Sequence, residues 1–158
     1  MNGAHLHLLL NHFPIIGVIF ACGIGGFALM ISNQAVLRVA LWLIVLSGAL
    51  ALPTYLTGEP AEEIVEEFGA NHDFLEAHED MGKLAAIGTG MVGALALFGL
   101  IWFRKKEISR LFSVLVLAAA VFVGGLLVYT GNLGGKIMHP ELSSGQPVGS
   151  VEQYDDDD

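Results

Sequence analysis

A single cysteine, Cys22, stands in the sequence, inside an apolar run. One thiol excludes an intramolecular disulfide, and the Cys-x-x-Cys-His arrangement that attaches haem covalently is absent. Cys22 reads as a small core residue. Charge is scarce as well: Lys, Arg, Asp and Glu make up 15% of the chain, against about 25% in an ordinary soluble domain. Basic residues are the scarcer sign, seven against sixteen acidic ones, which disfavours nucleic acid as a partner. The N-terminus carries no basic stretch and no Ala-x-Ala site, so no removable signal peptide is expected. No His-Glu-x-x-His pair and no serine or cysteine nucleophile arrangement is present, which removes the familiar hydrolase chemistries. The run Gly23-x-Gly25-Gly26 is no dinucleotide fingerprint, because it lies midway along an apolar stretch with no strand before it. Close helix packing accounts for it better.

Apolar residues are what the chain has in quantity, 54% of its 158 positions, for a mean hydropathy of +0.64. Four stretches are long enough to cross a bilayer. They run from about Phe13 to Ile31, from about Val36 to Thr57, from the entry at His78 to about Phe103, and from about Ser109 to Tyr129. Pro14 falls in the first turn of the first span or at a kink just inside it. Between spans two and three, Pro60 to Phe68 reads as a short amphipathic helix. Pro60 suits its first turn, Gly69 its end, and Ile64, Val65 and Phe68 form its apolar stripe. Such a helix lies on the membrane surface or caps the bundle. Asn71 or Asp73 suits the cap of the next helix. The fourth span leads into Thr130–Pro140. The tail, residues 141–158, is polar, ends in Asp155–Asp158 and is expected to be disordered. The expected fold is therefore an all-α integral membrane protein, a four-transmembrane-helix bundle over residues 1–140 followed by an acidic tail.

Five of the seven basic residues (Arg38, Arg104, Lys105, Lys106, Arg110) fall in or beside the loops joining spans one to two and three to four. Lys83 and Lys136 lie at the other end. The positive-inside rule places those two loops in the cytoplasm and both termini outside, on the periplasmic side of a bacterial inner membrane. All six histidines, His5, His7, His12, His72, His78 and His139, then lie at or just within the outer interface.

Histidine at membrane depth is expensive unless something uses it. His5, His7 and His12 crowd into eight residues ahead of the first span. On a helix His5 and His12 share a face, and His7 points elsewhere. His78 leads the third span, and the face below it (Gly82, Ala85 or Ala86, Thr89, Gly93) is stripped of bulk. That suits either close helix packing or room for a flat cofactor. The histidines come from the start of span one, the start of span three and the end of span four, points that converge at one end of a four-helix bundle. A metal or haem site there is the expectation. Haem b, copper, zinc and carboxylate-bridged iron all use histidine. The apolar, small-residue surroundings of His12 and His78 suit a porphyrin held by two histidines from different helices. Met81 and Met138 are weaker axial candidates. His72, Glu76 and Glu79 can share a helix face and present a harder metal site, or form a solvated acidic helix start.

The segment His7-Leu8-Leu9-Leu10-Asn11-His12-Phe13-Pro14 resembles the signature of a group of small bacterial four-span membrane proteins, long described as a domain of unknown function. Their first span opens His-Pro-x-x-x-His-Phe-Pro; here Leu8 stands in place of the proline. His78 matches a histidine that leads the third span in that group. Gly134-Gly135-Lys136-Ile137-Met138-His139 is similar to its Gly-Gly pair and following histidine. The resemblance covers most of the chain. It implies haem b, in some members beside c-type cytochrome modules, with His7, His12, His78 and His139 as cofactor-binding ligands and His5 and His72 as extras. Four ligands correspond to two bis-histidine haems.

The expected function is one-electron transfer by a membrane b-type cytochrome, either an electron-transfer protein or an oxidoreductase subunit, with no side chain assigned a catalytic role. Because the ligand candidates lie at one end, electrons would pass between quinol or a membrane partner and an external redox protein. The acidic outer face would steer a basic partner such as a c-type cytochrome. Two rivals stay open. One is a non-haem protein binding copper or zinc through His5, His7, His12, His72 and Glu76. The other is a structural subunit of a larger respiratory or photosynthetic complex. A homo-oligomer is compatible with all three.

Overall fold

The computed structural model describes residues 3–67 and 69–139, and among these the regular structure is entirely helical. In chain order the helices are α1 (Gly3–Leu10), α2 (His12–Met30), α3 (Gln34–Leu56), α4 (Glu59–Glu67), α5 (His72–Trp102) and α6 (Arg110–Met138). Four helical stretches are long and apolar enough to cross a membrane: α1 with α2, then α3, α5 and α6. The acidic tail expected from residue 141, and Phe68 of the amphipathic stripe, lie outside the described residues.

The long helices pack in a closed ring. α2 meets α3, α3 meets α5, α5 meets α6, and α6 returns to α2. Small side chains fill the middle: Ala21, Ala28, Ala40, Ala85, Ala96 and Ala120 are all buried. Bulky apolar side chains face out instead, among them Phe20, Phe27, Trp42, Met91, Phe98 and Phe122. That inversion suits a lipid surround, where small residues let helix backbones approach and large ones meet acyl chains. The closest approach joins α3 to α5. A Cβ built on Gly48 would lie 2.9 Å from the Thr89 carbonyl oxygen and 3.1 Å from the Gly93 Cα.

Polar groups inside the ring are satisfied locally. The hydroxyls of Ser47, Thr89 and Ser113 donate to the carbonyls of Leu43, Ala85 and Ser109 one turn earlier, at 2.8, 2.7 and 2.9 Å. A hydroxyl left unpaired in an apolar medium would cost several kcal/mol, roughly 2–7 depending on the reference state. At the end of the ring away from the histidines, Arg38 at the start of α3 reaches across to the α5–α6 connection. Its Nη2 donates to the carbonyls of Phe103 (2.8 Å) and Lys106 (2.9 Å). Gln34 adds a two-way bond with the backbone of Ile108, accepting from its N–H at 2.9 Å and donating to its carbonyl at 3.4 Å.

Local sequence explains most of the helix ends. Asn33 and Asn71 cap α3 and α5, each side chain accepting from two backbone amides of the first turn. Of the two caps offered for α5, Asn71 is the one used. Pro60 sits in the first turn of α4, and Gly69 follows α4 with φ +81°, a conformation that costs glycine little. α4 packs against α1, the Gly3 and Pro60 positions nearly touching. Pro14 stands in the first turn of α2 and explains the break at Asn11. It has no N–H to give the Leu10 carbonyl one turn back, and the Thr54 hydroxyl covers that oxygen at 3.4 Å instead. Two long helices exceed the spans read from hydropathy. α5 begins at His72, so the acidic stretch before His78 is already helical. α6 runs to Met138, through Gly131, Gly134 and Gly135.

Candidate functional site: a pair of oriented imidazoles

The ends of the ring that carry histidines are the start of α1–α2, the start of α5 and the end of α6, which the antiparallel order brings to one end. Within that group only some rings turn inward. His7 is half-buried and faces the end of α3, whose last carbonyls have no helical donor of their own. The Gly58 N–H turns to the Tyr55 carbonyl, leaving the Thr54 carbonyl for other donors. His7 Nδ1 donates to it at 3.0 Å and lies 3.3 Å from the Thr57 hydroxyl oxygen. His78 is also half-buried, and its Nδ1 donates to the Thr130 carbonyl of α6 at 2.9 Å. A carbonyl only accepts, so both rings carry a proton on Nδ1, and the neutral form of each leaves its lone pair on Nε2.

Glycine at 134 makes room for the His78 ring, and a Cβ at 58 would just touch the His7 ring. A Cβ on Gly134 would sit 3.1 Å from His78 Cε1, and one on Gly58 would sit 3.7 Å from His7 Cε1. Gly82, one turn below His78, meets only the Thr130 methyl at 3.8 Å. Asn11 lies one turn beyond His7, its backbone N–H bonded to the His7 carbonyl at 2.9 Å. Its Oδ1 is buried and finds no hydrogen-bond partner among the described residues.

The other candidates are placed differently. His5 and His12 are exposed, on the helix face opposite to the one His7 occupies, and His139 is exposed at the end of α6. His72 is exposed and pairs with Glu66 rather than Glu76, Nδ1 to Oε1 at 3.4 Å. At that exposure the pair contributes little. Among the described residues no group of three or more His, Cys, Asp or Glu side chains comes together that could hold a metal ion. The set of His5, His7, His12, His72 and Glu76 is therefore not assembled there, and a zinc or copper ion needs three or four such protein ligands. The donors present suit a haem better, since that group brings its four equatorial nitrogens and takes two axial ligands from the protein. A cavity of about 410 Å³ opens at the opposite end of the ring, beside Ser32, Asn33, Ser109 and Arg110, far from the imidazoles.

The acidic face around the site has its own electrostatics. Partial burial pushes the Glu62 carboxyl above its usual range. Glu79, Glu66 and Glu59 push the same way, and His72 opposes them. A carboxyl raised in the folded state favours the protonated form, so its contribution to docking α4 is present in acid and lost as pH rises through the raised value. A spin label on α4 should accordingly become more mobile as pH climbs through the carboxylate range, and Glu62→Gln should flatten that response. An unchanged profile in the variant would remove Glu62 as the cause.

Fold and site together define a four-helix membrane protein with a pair of backbone-oriented imidazoles at one end. A scan against family models, a search of curated proteins and a search of solved structures each return no match.

Three parts of this site were not singled out from the sequence: the carbonyl partners at Thr54 and Thr130, the Gly134 gap against His78, and Asn11. For Thr54 the available signal was a threonine near the end of an apolar span, where the last carbonyls of a helix lose their helical donors; Thr130 lies inside α6 and offered no such signal.

Proposed function

We propose that the chain is a membrane b-type cytochrome, in which His7 and His78 would hold a haem b. The observation that carries this reading is the matched pair of Nδ1–H bonds to backbone carbonyls. Such bonds fix ring orientation and tautomer and raise the basicity of Nε2. The bound group would supply a one-electron centre. The chain's own part is to hold both rings, to leave space through Gly134, and to keep the surroundings apolar. His12 and His139 are the ligands to which a second haem would fall, from the outside of the ring. The distribution of basic residues supports a bacterial inner-membrane location with the histidine end periplasmic. Electrons would pass there between quinol and an external carrier, and the acidic residues of α4 and early α5 favour a basic partner such as a c-type cytochrome.

The test is a reduced-minus-oxidised optical spectrum of the detergent-purified protein, with a pyridine haemochrome count per chain. One b-type haem is the result expected from the His7–His78 pair, and two would bring in His12 and His139. A featureless visible spectrum in protein made with ample haem would end the proposal.

A further inference from the structure

The cavity of about 410 Å³ at the end of the ring away from the histidines has one charge of each sign in its lining, Glu107 and Arg110. Glu107 belongs to the α5–α6 connection, and Arg110 opens α6. Both are exposed, and neither has an ion-pair or hydrogen-bond partner among the described residues. They line one space without answering each other. The other cations of this end are engaged or stand apart. Arg38 is held by the carbonyls of Phe103 and Lys106. Lys106 Nζ stands over the rings of Trp102 and Phe103, at 5.5 and 5.2 Å, and Arg104 and Lys105 do not line the cavity. The wall behind the two charges is fixed, because the Gln34 amide ties α3 to the Ile108 backbone through both its oxygen and its nitrogen. A preformed cavity with one cation and one anion to offer is complementary to a zwitterion.

The level of the cavity narrows the zwitterion. Trp102 ends α5 exposed, where an aromatic side chain marks the headgroup region, and the same connection leads on to Glu107 and Arg110. Exposed apolar side chains begin at this level too, Met30 and Ile31 at the end of α2 and Leu111 in the first turn of α6. Beneath the charges the lining turns apolar, with Ala28, Leu37 and Ile108 buried. We infer that the cavity takes the headgroup of an ethanolamine phospholipid, its phosphate against Arg110 and its ammonium against Glu107. The hydroxyls of Ser32 and Ser109 line the same space and can donate to the phosphate. Cavities between helix ends at the membrane surface are suited to lipid headgroups. A headgroup with a phosphate alone would leave Glu107 facing it unanswered, and a trimethylated ammonium has no N–H to give the carboxylate. The site lies at the opposite end from the imidazoles and stands apart from the haem reading.

The experiment is native mass spectrometry of the full chain in detergent, titrated with phosphatidylethanolamine, phosphatidylcholine and phosphatidylglycerol of the same acyl chains. The ethanolamine lipid should bind about three- to fivefold more tightly than either of the others, the size of one partly exposed ion pair. Glu107→Gln should level it with phosphatidylglycerol. Arg110→Gln should weaken all three, because the phosphate is common to them. Equal binding of the three lipids to the unaltered protein overturns the inference, as does an ethanolamine preference that survives Glu107→Gln. Glycerophosphoethanolamine, the same headgroup without acyl chains, should leave the bound lipid in place at equal concentration; displacement by it would overturn the membrane as the source of the ligand. Both substitutions are at exposed positions, and should either fail to fold, the three-lipid comparison on the unaltered protein decides alone.

Discussion

Replacing either His7 or His78 with alanine is expected to abolish the b-type spectrum, whereas alanine at His12 or His139 should leave the haem on that pair in place. The asymmetry follows from orientation, not from proximity to the membrane. His7 and His78 are half-buried, and each has its Nδ1 fixed by a carbonyl on a neighbouring helix; His12 and His139 are exposed. On the proposed reading, an alanine at either fixed position would take away one of the two histidines that hold the haem. A milder change tests the same geometry. Gly134→Ala would put a methyl 3.1 Å from His78 Cε1 and press on a ring tethered at Thr130. Disturbing such an outer partner of a ligating histidine costs about 10- to 100-fold in affinity. Haem titration of the four alanine variants and Gly134→Ala, followed at the Soret band, checks the series. Equal losses at all four histidines would mean that the orientation of the rings does not select the ligands.

The second large effect concerns the contact of α3 with α5. Gly48→Ala drives a methyl into the Thr89 carbonyl and the Gly93 backbone, and Gly93→Ala meets the Gly48 Cα at 3.2 Å and the Ile44 carbonyl at 3.4 Å. Backbone cannot rotate aside as a side chain can, so the helices must separate. Overpacking of this kind costs about 1–3 kcal/mol. The separation also disturbs the packing around the buried Ser47 and Thr89. Gly23→Ala and Gly90→Ala are the matched controls, because a Cβ at either position meets nothing within 4 Å. Those two should be neutral or stabilising by up to about 1 kcal/mol, through reduced chain entropy in the unfolded state. Thermal or denaturant unfolding in detergent micelles, read by circular dichroism, compares the four variants. Similar stability for all of them would show that the Gly48–Gly93 approach does not limit bundle packing.

Hydropathy alone locates the four long helices, and Pro60, Gly69 and Asn71 mark the short helix and the start of α5 through local chemistry that needs no tertiary information. The end of α6 was harder to read. Gly131, Gly134 and Gly135 lower helix propensity, so the sequence suggests a stop near Tyr129, yet the helix continues to Met138. Packing overrides propensity there, and the small residue at position 134 faces the His78 ring. The site was legible as a set and not as a pair. Six histidines at one end look alike until the rotation of each helix is known. The stripe His7, Asn11, Pro14, Val18, Ala21 and Gly25 carries that rotation for the first span, with four of its six members buried. Its partners could not be found the same way, because the carbonyls of Thr54 and Thr130 belong to the backbone and leave no mark on residue type.

The hydrogen bonds of Arg38 bear on how the chain is made. Arg38 and Phe103 are separated by 65 residues, so a ribosome delivers the guanidinium long before its acceptor exists. Until the third span has been synthesised and has come alongside the second, Arg38 has only water or lipid headgroups to satisfy it. The same holds for Gln34, whose partner Ile108 emerges later still. Closure of this end is therefore a late step of biogenesis. A nascent chain arrested before α5 would hold only the first two spans and an unanswered cation, a form that quality-control proteases could tell from the finished protein.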